Sequence, residues 1–280
     1  MTKHSLVCRK GGRDINPKID MNIIGIAMQK VKRYKSSGNS VIRLFTFKLL
    51  FVWKMLKNTR RFFTDTEFRS ILLLQIFSSK SVHQTTPLTY MDRYPKIFSA
   101  CRDYFGNKQD LKILSFGCST GEEVLTLRRY FPNAQIVGAD INKHSLDICR
   151  MLPMDDKITF VHSYFSEIKK HGDFDAIFCM AVLQRKPHYI ASQGITSLKN
   201  IYPFEKFEKQ IRELDELVKE QGLLVVHYTQ YSLFDTSVAS KYEALGHYCQ
   251  DDYHSPVFDR DSNLAKNRSP QNSIYIKSQK

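Results

Sequence analysis

A chain of 280 residues that is 42% hydrophobic and 25% charged has a globular composition, long enough to bury a full α/β core with an appendage left over. Its net charge of +14 is uneven: residues 1–85 carry 17 Lys and Arg against Asp14, Asp20, Asp65 and Glu67, whereas residues 86–280 carry 25 against 24. The basicity belongs to the N-terminal region, where it suits an anionic membrane surface or an acidic protein; no recognised nucleic-acid motif accompanies it.

At the chain start, Arg9, Lys10, Arg13 and Asp14 fall where the apolar core of a secretory signal would run, so a cytoplasmic protein is expected. Val41 to Leu56 is the most apolar stretch, yet Arg43, Lys48 and Lys54 leave it well short of the roughly 20 apolar residues of a spanning helix. At 100° per residue Arg43, Lys54 and Lys57 fall on one stripe and Leu44, Phe51, Val52 and Met55 lie opposite, which predicts an amphipathic helix. Packing on the rest of the protein is the ordinary role of such a helix. Trp53 and the Phe residues also suit a helix lying on an anionic membrane, peripheral to it. With a second helical pattern over Phe68 to Phe77, residues 1–85 are expected to form a helical appendage outside any sheet.

From Lys112 the pattern changes to strands alternating with helices, the signature of a parallel sheet with crossover connections. Lys112 to Phe116 is a short apolar strand, Gly117-Cys118-Ser119-Thr120-Gly121 a tight loop, and Glu122 to Tyr130 a helix. A second strand, Gln135 to Ala139, ends in Asp140; Lys143 to Arg150 follows as a helix. Lys157 to His162 and Phe174 to Cys179 are the next strands, Phe204 to Val218 a long amphipathic helix, and Leu223 to His227 a fifth strand. The expected fold is α/β: a Rossmann-like, doubly wound, mostly parallel sheet over residues 86–280, with the helical region 1–85 before it. A last strand is expected near Ser273 to Lys277, after a loop whose Asp251, Asp252, Asp259 and Asp261 read as a solvated face. Six scattered cysteines with no Cys-x-x-Cys pair, and no His cluster at ligand spacing, point to reduced thiols and no metal site.

A glycine turn between strand and helix lets a ligand approach backbone amides at a helix N-terminus. Asp140, 23 residues after Gly117 at the end of the neighbouring strand, can accept both ribose hydroxyl hydrogens, so loop and acid together outline an adenosine-type cofactor. A dinucleotide usually asks for Gly-x-Gly-x-x-Gly; here Ser119 replaces the second glycine. Glu122 and Glu123 would repel a pyrophosphate yet tolerate the ammonium and sulfonium of S-adenosylmethionine, which favours the methyl donor.

Ser115 to Glu123, with the run Ser-Thr-Gly-Glu-Glu, and Gly138-Ala139-Asp140-Ile141-Asn142 resemble the cofactor motifs of the chemoreceptor glutamate methyltransferases. Thr85-Thr86-Pro87-Leu88-Thr89 followed by Arg93 is similar to that family's Thr-rich segment, which folds over the methyl donor. Phe174 to Cys179 and Gly222-Leu223-Leu224 resemble its fourth and fifth strands, so the likeness covers roughly residues 85–230. It implies a class I, S-adenosylmethionine-dependent methyltransferase, with Thr86, Thr89 and Arg93 lining the cofactor pocket and Gly117 and Glu122 near the methionine part. Ser119, Thr120, Gly121, Ile141 and Asn142 belong to the same cofactor motifs, with Asp140 on the ribose. Pro87, Met91 and Asp92 depart from the family pattern, as does Met180-Ala181-Val182-Leu183-Gln184 in the loop that should meet the acceptor. A glutamate acceptor is therefore not implied.

A sulfonium-bound methyl needs chiefly proximity, alignment and a usable lone pair on the acceptor. A carboxylate acceptor needs only a cation such as Arg93 to hold it; a hydroxyl or phenol is helped by a base. His162, Tyr164, His188, Tyr189, His227 and Tyr228 stand at strand ends, where open α/β sheets bind ligands, and His188 and His227 are the catalytic candidates beside Arg93. A small-molecule or glycan acceptor is favoured by the changed loop after Cys179. The alternatives are a protein carboxyl methyltransferase and a non-catalytic module that binds the methyl donor; the acceptor itself is not identified by the sequence.

Overall fold

The structure, a computed structural model, describes residues 17–79, 81–86, 88–153, 155–266 and 271–279. Arg9, Lys10, Arg13 and Asp14, on which the reading of the chain start rests, lie outside the described residues, as do Cys8 and Pro87. The chain divides into two compact units, Met1–Arg69 and Ser70–Lys280, so that residues 70–85 go with the second unit and not with the basic region.

In the first unit, α1 (Pro17–Lys32) and α2 (Ser40–Thr64) are separated by a 3-10 turn over Arg33–Ser36. Asn39 starts α2 by accepting from the Val41 and Ile42 amides, which would otherwise lack partners in the first turn. At the other end Asp65 leaves helical geometry, holds Arg61 at 2.8 Å and accepts from the Phe68 amide, so one residue closes α2 and opens α3 (Thr66–Phe77).

The second unit is built on a seven-stranded sheet: β1 (Lys112–Phe116), β2 (Gln135–Asp140), β3 (Ile158–His162), β4 (Phe174–Met180), β5 (Val218–His227), β6 (Tyr242–Ala244) and β7 (Ile274–Lys277), in the order β3-β2-β1-β4-β5-β7-β6. The first five strands run parallel; β7 pairs antiparallel with both β5 and β6. The helices are α4 (Pro95–Phe105), α5 (Glu122–Tyr130), α6 (Lys143–Cys149), α7 (Phe165–Lys169), α8 (Pro187–Ser192) and α9 (Phe204–Asp215).

Both faces of the sheet are covered, because successive strand residues point to opposite sides and nearly all are apolar. Leu114, Ile177 and Leu224 share a core with Phe207, Ile211 and Leu214 of α9, whereas Ile113, Phe178 and Val225 share the opposite one with Phe98 of α4 and Leu127 of α5. Each such side chain contributes roughly 1.5–3 kcal/mol by leaving water. The chain reverses its winding between β1 and β4, and a crevice opens outside the carboxyl ends of those strands.

Two expectations shift in detail. The helix predicted to Val218 ends at Asp215, whose carboxylate is taken by Lys241, Lys277 and the Tyr242 hydroxyl, and Val218 already pairs with Phe174. Helix α4 and strand β6 were not among the expected elements, although Ile97, Phe98, Cys101, Tyr104 and Phe105 of α4 follow helical spacing; α4 starts at Pro95, at its first helical position.

Candidate functional site

The loop from β1 into α5 depends on two left-handed residues that only glycine adopts without strain: Gly117 has φ +79° and Gly121 φ +98°. A Cβ at Gly117 would also meet the Val182 side chain, and one at Gly121 the Leu152 side chain. Ser119, at φ +50°, takes the same region without being glycine. Its amide donates to Asp140 Oδ2 at 2.9 Å, and the Asn142 amide donates to Oδ1 at 2.7 Å, so the loop and the end of β2 are locked through one carboxylate. Burial pushes the Asp140 carboxyl up to about 6, even though the Asn142, Ser119 and Ile141 amides pull it down. A carboxylate oxygen accepts more than one hydrogen bond, so Asp140 retains capacity for a pair of hydroxyl donors.

This loop forms one wall of a cavity of about 320 Å³. Glu123 stands deep in that wall, accepting from the Ser115 hydroxyl at 2.7 Å; burial raises its carboxyl to about 7, against the Ser115 bond and the pull of the Arg93 charge. Arg93 lines the cavity as well, with its guanidinium over the Tyr90 and Tyr94 rings at 5.6 and 5.0 Å and one N–H donated to the Leu88 carbonyl. Neither group has an ion-pair partner within 4 Å among the described residues. The Ser119 and Tyr94 hydroxyls are buried at the same wall with no hydrogen-bond partner. One acid, one base, two unpartnered hydroxyls and a carboxylate with spare acceptor capacity suit a nucleoside that carries a zwitterionic amino-acid group.

A second wall comes from the described residues of 81–86 and 88–93, among them His83, Gln84, Thr85, Thr86, Leu88, Thr89 and Tyr90. It is tied down at both ends. Lys206 donates to the Ser79 and Val82 carbonyls, Arg185 donates to the His83 carbonyl, and the His83 ring meets Tyr202 Oη at 2.7 Å. Burial, with the Lys206 charge, drops the His83 imidazole to about 3, so that it is neutral here. At the far end the Asp92 amide donates to Thr126 Oγ1 and the Tyr130 hydroxyl donates to Asp92 Oδ1.

The mouth is formed by the loop after β4 and the start of α8: Gln184, Lys186, Pro187, His188 and Tyr189 line it. Ala181 and Lys186 have φ of +57° and +43°, so this loop is held in strained turns by its surroundings. Gln184 is buried, accepting from the Tyr253 hydroxyl and donating to the Ala181 carbonyl, while Lys186, His188 and Tyr189 are exposed.

Of the residues expected at the cofactor, Thr86, Thr89, Arg93, Gly117, Ser119, Asp140, Ile141 and Asn142 are brought together around the cavity. Thr120, Gly121 and Glu122 are not among its lining residues: Gly121 shapes the turn, and Glu122 accepts from the Thr120 hydroxyl at 2.7 Å. The acid on the cavity is the next residue, Glu123. Of the catalytic candidates, His188 stands at the mouth. His227 does not line the cavity; its Nδ1 meets Ser273 Oγ at 2.7 Å, its ring lies between Tyr94 and Tyr228, and burial lowers it to about 4. His162, Tyr164 and Tyr228 are likewise absent from the lining; Tyr228 donates to Asp252, which gives one of the acidic-loop residues a structural partner. Among the described residues no group of three or more His, Cys, Asp or Glu is placed to hold a metal ion, and Cys101, Cys118, Cys149, Cys179 and Cys249 are unpaired thiols.

The sequence model of a family described as "Methyltransferase domain" matches residues 107–265. A curated relative, the uncharacterized protein RP028 of Rickettsia prowazekii (strain Madrid E), is 29% identical over 104 residues, covering 34% of this chain and 42% of that protein. Among solved structures, CalS10, an amino pentose methyltransferase from Micromonospora echinaspora bound to S-adenosylmethionine, is similar over 52% of this chain and 53% of its own, at 16% identity and a TM-score of 0.37. PKMT2 from Rickettsia typhi is similar over 50% of this chain and 26% of its own, at 19% identity and a TM-score of 0.35. The chain thus spans less than half of its curated relative and about half or less of these two structures. The chain belongs to the methyltransferase-domain family, since the match takes in more than half of it.

Proposed function

We propose that this member of the methyltransferase-domain family moves a methyl group from S-adenosylmethionine to a small polar acceptor, of the glycan kind, held at the mouth of the cavity. The observation that carries the reading is the continuity of one cavity between Asp140, Glu123 and Arg93 at its inner wall and Lys186, His188 and Tyr189 at its mouth. S-adenosylmethionine supplies a sulfonium-bound methyl that an oxygen or nitrogen lone pair takes by in-line displacement.

The chain's own residues hold and shield. Asp140 accepts the ribose hydroxyls, Glu123 takes the amino-acid ammonium and Arg93 its carboxylate, each through a charge-assisted hydrogen bond. Thr85, Thr86, Leu88, Thr89 and Tyr90 line the cavity, where they would lie against the bound donor and shield it from water. Tyr90 and Tyr189, exposed by 55% and 53%, offer ring faces at the mouth that suit the apolar faces of a sugar, and Gln184 and Lys186 offer donors to its oxygens. His188 takes the proton of a hydroxyl acceptor in this reading. Apart from this site, the basic N-terminal unit meets an anionic partner; among the described residues no helix is long and apolar enough to cross a membrane.

The test is incubation with isotopically labelled donor and cell extract fractionated into protein, lipid and small metabolites. Label in the polar low-mass or glycan fraction, lost on His188→Gln at unchanged donor affinity, is the expected result. Base-labile label on protein would make the acceptor a carboxylate, and calorimetry showing NADH but not the methyl donor bound would overturn the reading altogether.

A further inference from the structure

We propose that α2 lies on an anionic lipid bilayer, with its exposed apolar face in the headgroup region and its basic side chains on lipid phosphates. This rests on the reading of the basic N-terminal unit as the part that meets an anionic partner, and it is independent of the cofactor cavity.

The helix is 25 residues long, about 37 Å at 1.5 Å per residue. Thr46 is buried and Leu49, Leu50 and Trp53 are half-buried, which places its protected stripe. On the opposite side Val41, Phe45, Phe47, Phe51, Leu56 and Phe63 are between 56% and 75% exposed. At 100° per residue these six occupy about half of the circumference. An apolar arc that wide, left to water, is far larger than the scattered exposed residues of an ordinary surface.

The charges agree with the arc. From Ser40 to Thr64 the helix holds Arg43, Lys48, Lys54, Lys57, Arg60 and Arg61 and no acid. Arg43 and Lys54 follow one border of the arc, where long stems can keep their charges at phosphate level while the neighbouring rings sink past them. Lys48 interrupts the arc itself, which a helix spanning the bilayer would not tolerate but one lying in the interface does. Complementarity with an acidic protein or a nucleic acid accounts for the cations alone. A bilayer with anionic headgroups matches cations and apolar arc together.

The full chain is mixed with vesicles of phosphatidylcholine, or of phosphatidylcholine with phosphatidylglycerol, and floated on a density gradient. Flotation with the anionic vesicles alone is expected, weakened about tenfold by raised salt as screening shortens the reach of the charges. Energy transfer from Trp53, the only tryptophan of the chain, to a dansyl-labelled lipid should report the same contact. The triple variant Phe45→Ser/Phe47→Ser/Phe51→Ser keeps every charge, and Arg43→Gln/Lys48→Gln/Lys54→Gln keeps the apolar arc; each should weaken flotation about tenfold or more. A wild type that stays in the soluble fraction overturns the proposal, and so does a serine variant that floats as well as wild type, because charge alone would then suffice. Donor affinity, measured by calorimetry on the same samples, should not change. Donor binding without flotation defeats this proposal only, and flotation without donor binding defeats the cofactor reading only.

Discussion

Where the parallel strands of the second unit begin, Asp175 and Asp215 are buried carboxylates surrounded by cations. Asp175 receives Lys108 at 2.9 Å, Lys219 at 2.8 Å and the Lys112 amide; Asp215 receives Lys241 at 2.5 Å and Lys277 at 3.0 Å. Burial would push both carboxyls up, yet these partners hold both below the usual range. Where the same strands finish, Asp140 and Glu123 have no cation within ion-pair distance, and burial leaves them raised to about 6 and about 7. A buried acid that the protein pairs for itself supports the fold; one that it leaves unpaired costs stability and is poised for a ligand's donors.

The difference is broken most forcefully at the paired end. Asp175→Ala leaves two lysines and an amide without their acceptor; since the lysine heads are partly exposed and can turn to water, the loss should be about 2–3 kcal/mol and not the full cost of a buried broken pair. Urea unfolding measures it, and donor affinity of the folded protein should stay unchanged.

The unpaired end is exposed by pH. Folded Glu123 keeps its proton up to about pH 7, whereas its ordinary value is 4.5, so the stability this supplies is complete below about 4.5 and is lost as the pH rises through 7. Without donor, the protein should lose up to about 2–3 kcal/mol from this group between pH 5 and 8, with Asp140 acting in the same direction. His83 and His227, depressed to about 3 and about 4, act oppositely: their contribution is present above 6.5 and fades as the pH falls. The difference between wild type and Glu123→Gln isolates the acid, and two parallel stability curves would show that Glu123 carries no such shift.

Asp140→Ala should weaken donor binding by roughly 1.5–3 kcal/mol through lost charge-assisted hydrogen bonds, read by calorimetry. Arg93→Ala is the smallest of these effects, with a loss in donor affinity of about 1–2 kcal/mol. Its melting temperature should move by only a few degrees, because Arg93 ties down a single carbonyl; a collapse in stability would make it a structural residue.

The five parallel strands, the glycine turn and Asp140 were legible in advance because each is a local pattern: apolar runs of strand length, a loop that needs positive φ, and an acid at the end of the next strand. The strand order was not, since β4 could take its place beside β1 only through pairings more than 60 residues apart, such as Ile113 with Ala176. The histidines show the same limit. His188 follows β4 and His227 ends β5, and only packing puts one at the mouth and the other behind Tyr94.

The sequence by itself determined that residues 112–140 form a strand, turn, helix and strand able to receive a nucleoside, and that the positive charge is concentrated before residue 85. Only the tertiary structure decided which of two adjacent glutamates faces the cavity. Neighbouring helical residues diverge by about 100°, so the choice between Glu122 and Glu123 follows from how α5 rolls onto the sheet. That roll is fixed by Val124 and Leu127 in the core, by the Ser115 hydroxyl beneath Glu123 and by Thr126 at the Asp92 amide, contacts that no pattern within the helix specifies.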